Sequence, residues 1–160
     1  MQDRPPVKTA AFFILSLSIL ACDLPRDADG TLERVRGGVL RAGYSENPPW
    51  VSDTAGVERR LIHELATALG ARVEWVENSE SELIEDLHDR KLDLAVGGLT
   101  ADGTWITRAA PTRPFHHDST RKKDHVWAAP PGENAWLVEV EKFLSAQRPR
   151  VPDLLVREAQ

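Results

Sequence analysis

The sequence places polar and aromatic groups directly after two predicted strands. The run LDLAVGGLTADGTW ends an apolar segment at Gly97 and Gly98 and continues to the hydroxyl of Thr100. Glycines let a backbone approach a ligand closely, so these amides suit an anionic or polar group. The run GYSENPPW carries Tyr44 and Trp50 on a proline-stiffened loop, and such rings can stack on an apolar or cationic group. Taken alone, the glycines are more simply explained as a tight turn, and the aromatic residues as a hydrophobic cover for the edge of the sheet. Their occurrence together after two adjacent strands predicts a ligand site.

Groups suited to catalysis are present, but their spacing matches no known motif. The run HHDSTRKKDH offers metal ligands at His116, His117, Asp118, Asp124 and His125. A zinc site needs three or four of these around one centre, and no ligand motif is present, so we interpret the run as a solvated linker. The chain has no G-x-S-x-G elbow, and GGLTADG lacks the lysine of a phosphate loop. We therefore predict no enzymatic activity, no cofactor and no metal.

The elements that position these groups alternate between strand and helix. GGVLRAGYS, ARVEWVE and LDLAVGG have the composition of strands, and the third is apolar enough to be covered on both faces. VERRLIHELATALG has apolar residues at helical spacing and closes on Gly70, and SESELIEDLHDRK begins with Ser79 or Ser81 as N-cap. This β-α-β-α-β order predicts parallel strands in an α/β lobe, whose ligands bind beyond the carboxyl ends of the strands.

The N-terminus resembles an export signal. Arg4 and Lys8 precede the apolar run TAAFFILSLSILA, which is shorter than the ~20 residues of a membrane-spanning helix. The run ends in ILAC, which resembles the lipobox of bacterial lipoproteins, and Cys22 is the only cysteine of the chain. We therefore predict a signal peptide over 1–22 with lipidation at Cys22. An ordinary signal peptide and an uncleaved anchor are the alternatives.

Composition favours one globular domain with tails. The chain has 160 residues, 41% hydrophobic and 28% charged, with a formal net charge of −5. Its Lys and Arg residues are scattered among acids, which argues against a nucleic-acid surface.

The order and spacing of these runs, from Gly38 to Phe115, resemble the extracytoplasmic solute-binding proteins of family 3, the amino-acid-binding type that serves ABC importers. The resemblance implies the type II periplasmic-binding-protein architecture, in which two α/β lobes close on a ligand. By position it implies that Tyr44 and Trp50 stack on the ligand and that Gly98 and Thr100 bind an α-carboxylate.

This chain departs from the family pattern at the carboxylate clamp. Trp105 stands where these binders usually have an arginine, so a bidentate contact is missing, and Arg108 is a candidate substitute. Arg113 is a second candidate. Arg60 stands where relatives tend to have an acid.

The second lobe of the family is also missing. The expected organisation is a polar spacer over 23–36, lobe one over 37–115, and a short linker over 116–125 in place of lobe two. A return strand and helix then occupy 126–147, and a loose tail occupies 148–160. The single lobe should be a three-layer structure with a mostly parallel sheet.

The signal-like run and the lipobox, together with the family resemblance, predict a lipid-anchored protein on the periplasmic or extracellular face of the membrane. It would bind an amino acid or related polar solute for ABC-type uptake or sensing, with weakened affinity. The implied partners are the solute, a permease or membrane sensor, the membrane itself, and a second copy in a homodimer. The alternative is a non-catalytic interaction module, or a degenerate remnant that binds no ligand.

Overall fold

The fold was analysed in a computed structural model, which describes residues 26–159. The predicted signal segment and its lipidation site, Cys22, lie outside the described residues. The described part contains the helices α1 (Thr31–Val35), α2 (Val57–Ala68), α3 (Glu80–His88), α4 (Asn134–Gln147) and α5 (Val151–Glu158), with 3₁₀ turns at Thr104–Thr107 and Arg148–Arg150.

A five-stranded, mostly parallel sheet forms the centre of the lobe. Its strands are β1 (Val39–Tyr44), β2 (Arg72–Glu77), β3 (Leu94–Val96), β4 (Ala110–Pro111) and β7 (Ala128–Ala129), in the spatial order β2-β1-β3-β7-β4. β1 pairs in parallel with β2 and β3, as the β-α-β-α-β pattern predicts, and β7 is antiparallel to β3 and β4. The predicted α/β fold with a mostly parallel sheet is confirmed.

Alternating residues of the central strands enter two hydrophobic clusters, which makes the lobe three-layered. Leu94 and Val96 of β3 belong to the cluster that includes residues of α2, α4 and α5, whereas Ala95 belongs to the cluster beneath α3. This alternation follows from the two-residue side-chain period of a strand. α3 begins at Ser79, whose hydroxyl accepts the Glu82 N–H in a capping box, so the first of the two proposed N-caps is the one used.

The C-terminal segment is ordered, which corrects the prediction of a loose tail over 148–160. After α4, a 3₁₀ turn leads into α5, whose Val151 and Leu154 are buried in the main core. The carboxylate of Glu158 accepts the Gly56 N–H (3.1 Å) and pairs with Arg60 (3.0 Å). The short run LLV was too brief to predict a helix, but tertiary burial stabilises one.

Two further segments have more structure than the sequence indicated. The spacer over 23–36 contains the short helix α1, and Val35 is fully buried. The linker over 116–125 is a β-hairpin of β5 (His116–Asp118) and β6 (Lys123–His125), closed by a turn in which Lys122 has a φ of 53°. The connection is short as predicted, but it is folded against the lobe.

Within residues 26–159, none of the helices has the length and apolar character needed to cross a membrane. The same residues contain no group of three or more His, Cys, Asp or Glu side chains placed to hold a metal ion.

Candidate functional site

The glycine turn after β3 binds a carboxylate of the chain itself. The N–H groups of Gly97 and Gly98 donate to Oε2 of Glu58 at 2.8 and 2.9 Å. Gly98 has a φ of 68°, and a Cβ at this position would lie 2.8 Å from the Trp50 ring, so the turn requires glycine. The two amides predicted to hold a ligand anion are therefore occupied, which corrects their assigned role.

Glu58 is the residue of the site that sequence reasoning missed. It lies in the first turn of α2, is fully buried, and accepts Trp127 Nε1–H at 3.1 Å on its second oxygen. Burial raises the pKa of Glu58 to about 7, although the hydrogen bonds from Gly98, Gly97 and Trp127 oppose this. A signal existed, because helical spacing puts Glu58 on the same face as Leu61, Ile62 and Leu65.

The hairpin covers Trp50. The indole is 5% exposed, and its face stacks on the imidazole of His125 with ring centroids 3.9 Å apart and planes at 30°. Phe115 packs edge-on against the same indole at 6.1 Å. The aromatic face predicted to stack on a ligand therefore stacks on His125, which belongs to the segment interpreted as a solvated linker.

His125 is buried without hydrogen bonds. It is 4% exposed, and neither ring nitrogen has a hydrogen-bond partner of normal geometry within the described residues. Burial, and then the nearby His116, lower the pKa of His125 below its usual value. Burial therefore favours the neutral imidazole, in which one ring nitrogen donates and the other accepts, and neither nitrogen has a hydrogen bond of normal geometry within the described residues.

Thr100 is the part of the turn with free hydrogen-bonding capacity. It pairs with His125 in an isolated antiparallel bridge and is partly exposed. Its hydroxyl donates to Asp102 at 2.7 Å, and Asp102 also pairs with Lys123; both contacts lower the pKa of Asp102. No hydrogen bond among residues 26–159 has the Thr100 N–H as its donor. The bonds of the bridge run from the Ala101 N–H to the Asp124 carbonyl and from the Val126 N–H to the Leu99 carbonyl, so the Thr100 N–H is directed away from the strand of His125.

Tyr44 makes its contacts on the β2 side of the strand ends. Its hydroxyl donates to Glu77 at 3.0 Å, and its ring packs edge-on against Trp75. The guanidinium of Arg59 lies 4.3 Å from the Trp75 ring centroid and 5.5 Å from that of Tyr44. The cationic group that Tyr44 was expected to meet is thus supplied by the chain itself.

Trp105 and Arg108 are engaged away from the turn. Trp105 is buried in the cluster beneath α3. Arg108 pairs with Glu85 of α3 at 2.6 Å, and Arg113 pairs with Glu141 of α4 at 3.5 Å. The structure therefore brings together Trp50, Gly97, Gly98 and Thr100 of the predicted site, and it pairs Arg108 and Arg113, the two proposed substitutes for the missing arginine, with acids of α3 and α4.

Comparison with known proteins identifies the fold. No protein-family model matches the chain, and no curated protein matches it significantly. Among solved structures, the arginine-bound form of domain 1 from TmArgBP has a TM-score of 0.63 and 22% identity, over 71% of this chain and 97% of that one. The ancestral amino-acid-binding protein AncCDT-1, a precursor of cyclohexadienyl dehydratase, has a TM-score of 0.68 and 14% identity, over 81% and 99%.

A third structure, an ancestral arginine-binding protein bound to arginine, has a TM-score of 0.62 and 13% identity, over 72% of this chain and 97% of that one. The chain therefore has the fold of a single lobe of the amino-acid-binding solute-binding proteins. The resemblance inferred from the sequence is confirmed at the level of the fold.

Proposed function

We propose that this protein binds a small polar solute, an amino acid or a related compound, at the carboxyl ends of β1 and β3. The observation that carries the proposal is the Thr100 N–H, which donates no hydrogen bond within the described residues and follows a turn that Glu58 fixes at the carboxyl end of β3. This backbone donor, together with the buried imidazole of His125 on the adjoining hairpin, provides polar groups for a ligand that displaces or contacts the hairpin.

The similar structures support binding by one lobe. One of them is a single domain, domain 1 of TmArgBP, in its arginine-bound form. A lobe of this shape can therefore hold an amino acid without its partner lobe. Because the clamp arginine is replaced by Trp105 and only one wall is present, we propose an affinity weaker than that of a two-lobed binder.

The proposed setting is uptake or sensing at a membrane. The ILAC run at Cys22 supports a lipid anchor, which would hold the lobe on the periplasmic or outer face, near an ABC permease or a membrane sensor. The proposal involves no chemical step.

Ligand-dependent thermal unfolding tests the proposal. The purified protein is melted alone and with arginine, lysine, glutamine and small organic acids. A ligand at about ten times its Kd adds about 1.4 kcal/mol, which shifts the midpoint by about 3–6 °C in a chain of this size.

Two variants locate the site. Thr100→Pro removes the free N–H and should abolish the shift, whereas Thr100→Val removes only the hydroxyl and should retain it. The control is Thr104→Pro, at the first position of a 3₁₀ turn, where proline is tolerated. A shift that persists in Thr100→Pro would place the ligand elsewhere.

A second candidate is a non-catalytic interaction module, or a remnant that binds no ligand. It is favoured by the internal occupation of the Gly97 and Gly98 amides and of the Trp50 face. A cooperative transition that no solute shifts, together with concentration-dependent self-association, would support the module. The absence of both would support the remnant.

A further inference from the structure

A second polar site lies at the opposite end of the sheet from the glycine turn. A cavity of about 170 Å³ is lined by three arginines, Arg34, Arg41 and Arg90, together with Asp29, Thr31, Leu92 and Pro130. Arg34 belongs to α1, Arg41 to β1, and Arg90 to the loop before β3. Three guanidinium groups around one small space require a physical reason, because like charges repel unless anions separate them.

A single buried carboxylate fixes two of the three arginines. Asp93 is fully buried, and Arg41 donates to it through Nη2 (2.7 Å), Nε (3.2 Å) and its backbone N–H (2.8 Å). Arg34 donates to both oxygens of the same carboxylate. One negative charge therefore serves two positive ones, and both guanidinium groups are held in place with further N–H donors unused.

Arg90 supplies a buried donor without a hydrogen bond. Its backbone has a φ of 62°, and its Nε lies 3.0 Å from Asp29 at the rim, whose side chain is 60% exposed. Its Nη1 is buried, has no hydrogen-bond partner among the described residues, and lies 3.8 Å from Oε1 of Glu133. The two oxygens of Glu133 already accept the N–H groups of Asp29 and Thr31. A buried N–H group without an acceptor costs free energy of folding, and an acceptor bound in the cavity would remove that cost.

The three arginines around the cavity are matched in number by three carboxylates, but their N–H donors exceed the acceptors that reach them within the described residues. The three arginines face two buried carboxylates, Asp93 and Glu133, and the third carboxylate, Asp29, is at the solvent-exposed rim. Planar guanidinium groups match the oxygens of phosphate in bidentate geometry. The volume of the cavity is sufficient for one tetrahedral oxoanion.

From these contacts we propose that the cavity between Arg34, Arg41 and Arg90 binds a phosphate group. The group comes either from free phosphate or from a phospholipid headgroup. This site is separate from the proposed solute site, since the glycine turn follows the carboxyl end of β3 and Asp93 precedes its amino end.

Calorimetric titration of the full chain in neutral detergent micelles tests the proposal and separates the two sources. One arm titrates inorganic phosphate, and the other titrates short-chain phosphatidylglycerol in the same micelles. Saturable binding in the first arm identifies free phosphate as a ligand, and binding in the second arm alone identifies the headgroup. Absence of saturable binding in both arms overturns the proposal.

Arginine variants assign the binding to the cavity. Arg90→Gln should weaken it by about tenfold or more, because it removes charge-assisted hydrogen bonds. Arg90→Lys, which keeps the charge but loses the planar fork, should also weaken it and serves if the glutamine variant fails to fold. The control is Arg121→Gln on the hairpin, at a side chain that is 75% exposed. Equal affinities for Arg90→Lys and the unsubstituted chain would contradict the assignment.

Discussion

Glu58 determines the geometry of the glycine turn. Its carboxylate, buried at the start of α2, accepts the amides of Gly97 and Gly98 and the indole N–H of Trp127, and so links α2 to the ends of β3 and β7. A buried charge of this kind costs free energy unless hydrogen bonds compensate. The turn is thus formed around the Glu58 carboxyl group, and the polar capacity that remains for a ligand belongs to Thr100.

The raised pKa of Glu58 predicts a pH-dependent stability. The folded pKa, about 7, lies above the ordinary value of 4.5, so the folded state retains a proton that the unfolded state releases. The stabilising contribution is complete below about pH 4.5 and is lost as the pH rises through about 7. Between about pH 4.5 and about pH 8, the titration of Glu58 should therefore lower the free energy of unfolding by about 3 kcal/mol.

Urea unfolding of the protein and of Glu58→Gln at about pH 4.5 and about pH 8 measures this contribution, because the difference between the two proteins cancels the histidines common to both. The control, Glu74→Gln, changes an exposed acid of β2 and should leave the pH profile intact. A difference that is constant with pH would contradict the prediction.

His125→Phe should stabilise the fold. Phenylalanine keeps the aromatic stack on Trp50 and removes two buried nitrogens that lack partners, so we expect a gain of about 1 kcal/mol. Burial lowers the pKa of His125, so the unfolded state binds a proton more readily than the folded state, and the free energy of unfolding falls as the pH falls below the ordinary value of 6.5. Phenylalanine binds no proton, so the variant should not show this decrease. Denaturant midpoints of the protein and the variant at about pH 4.5 and about pH 8 measure both effects. The control is His117→Phe, at an exposed histidine of the same hairpin.

At the scale of elements, the segments predicted as a solvated linker and a loose tail are both packed against the lobe. The hairpin β5–β6 covers Trp50 through His125, and α5 closes the core near the start of α2. Both segments are short and rich in charged residues, so their local propensity is weak. Their conformation depends on contacts with residues far away in the sequence.

The helix α5 predicts a contrast between two of its own side chains. Leu154 is buried in the core, so Leu154→Ala should lower the free energy of unfolding by about 2–4 kcal/mol. Val156, on the same helix, is 62% exposed, and Val156→Ala should stay within about 0.5 kcal/mol. Chemical denaturation of the two variants makes the comparison, and equal effects would show that α5 is not docked.

For the whole molecule, the segment predicted from the family resemblance to replace a second lobe is a ten-residue hairpin. The two hydrophobic clusters still cover both faces of the sheet, so the lobe has a core of its own. Ligand access would require movement of the hairpin away from Trp50.

The membrane anchor predicted at Cys22 can be tested on the whole protein. In a bacterial host, the protein should partition into the detergent phase, with a mass showing removal of residues 1–21 and addition of lipid. Cys22→Ser should abolish both the partitioning and the added mass. If the Cys22→Ser variant still enters the detergent phase and has the mass of the whole chain, the N-terminus is an uncleaved anchor. If the unsubstituted protein is cleaved and stays in the aqueous phase, the N-terminus is an ordinary signal peptide.

The sequence by itself determined the β-α-β-α-β core, its parallel strands, a serine N-cap at Ser79 or Ser81 and the position of the glycine turn. These features follow from short-range periodicity and capping, which act within one element or between neighbours. Only the tertiary structure decided that Glu58 occupies the turn, that His125 covers Trp50, that Arg108 pairs with Glu85, and that the last segment is a helix. Each of these depends on contacts between distant residues, and such contacts leave no local pattern in the chain.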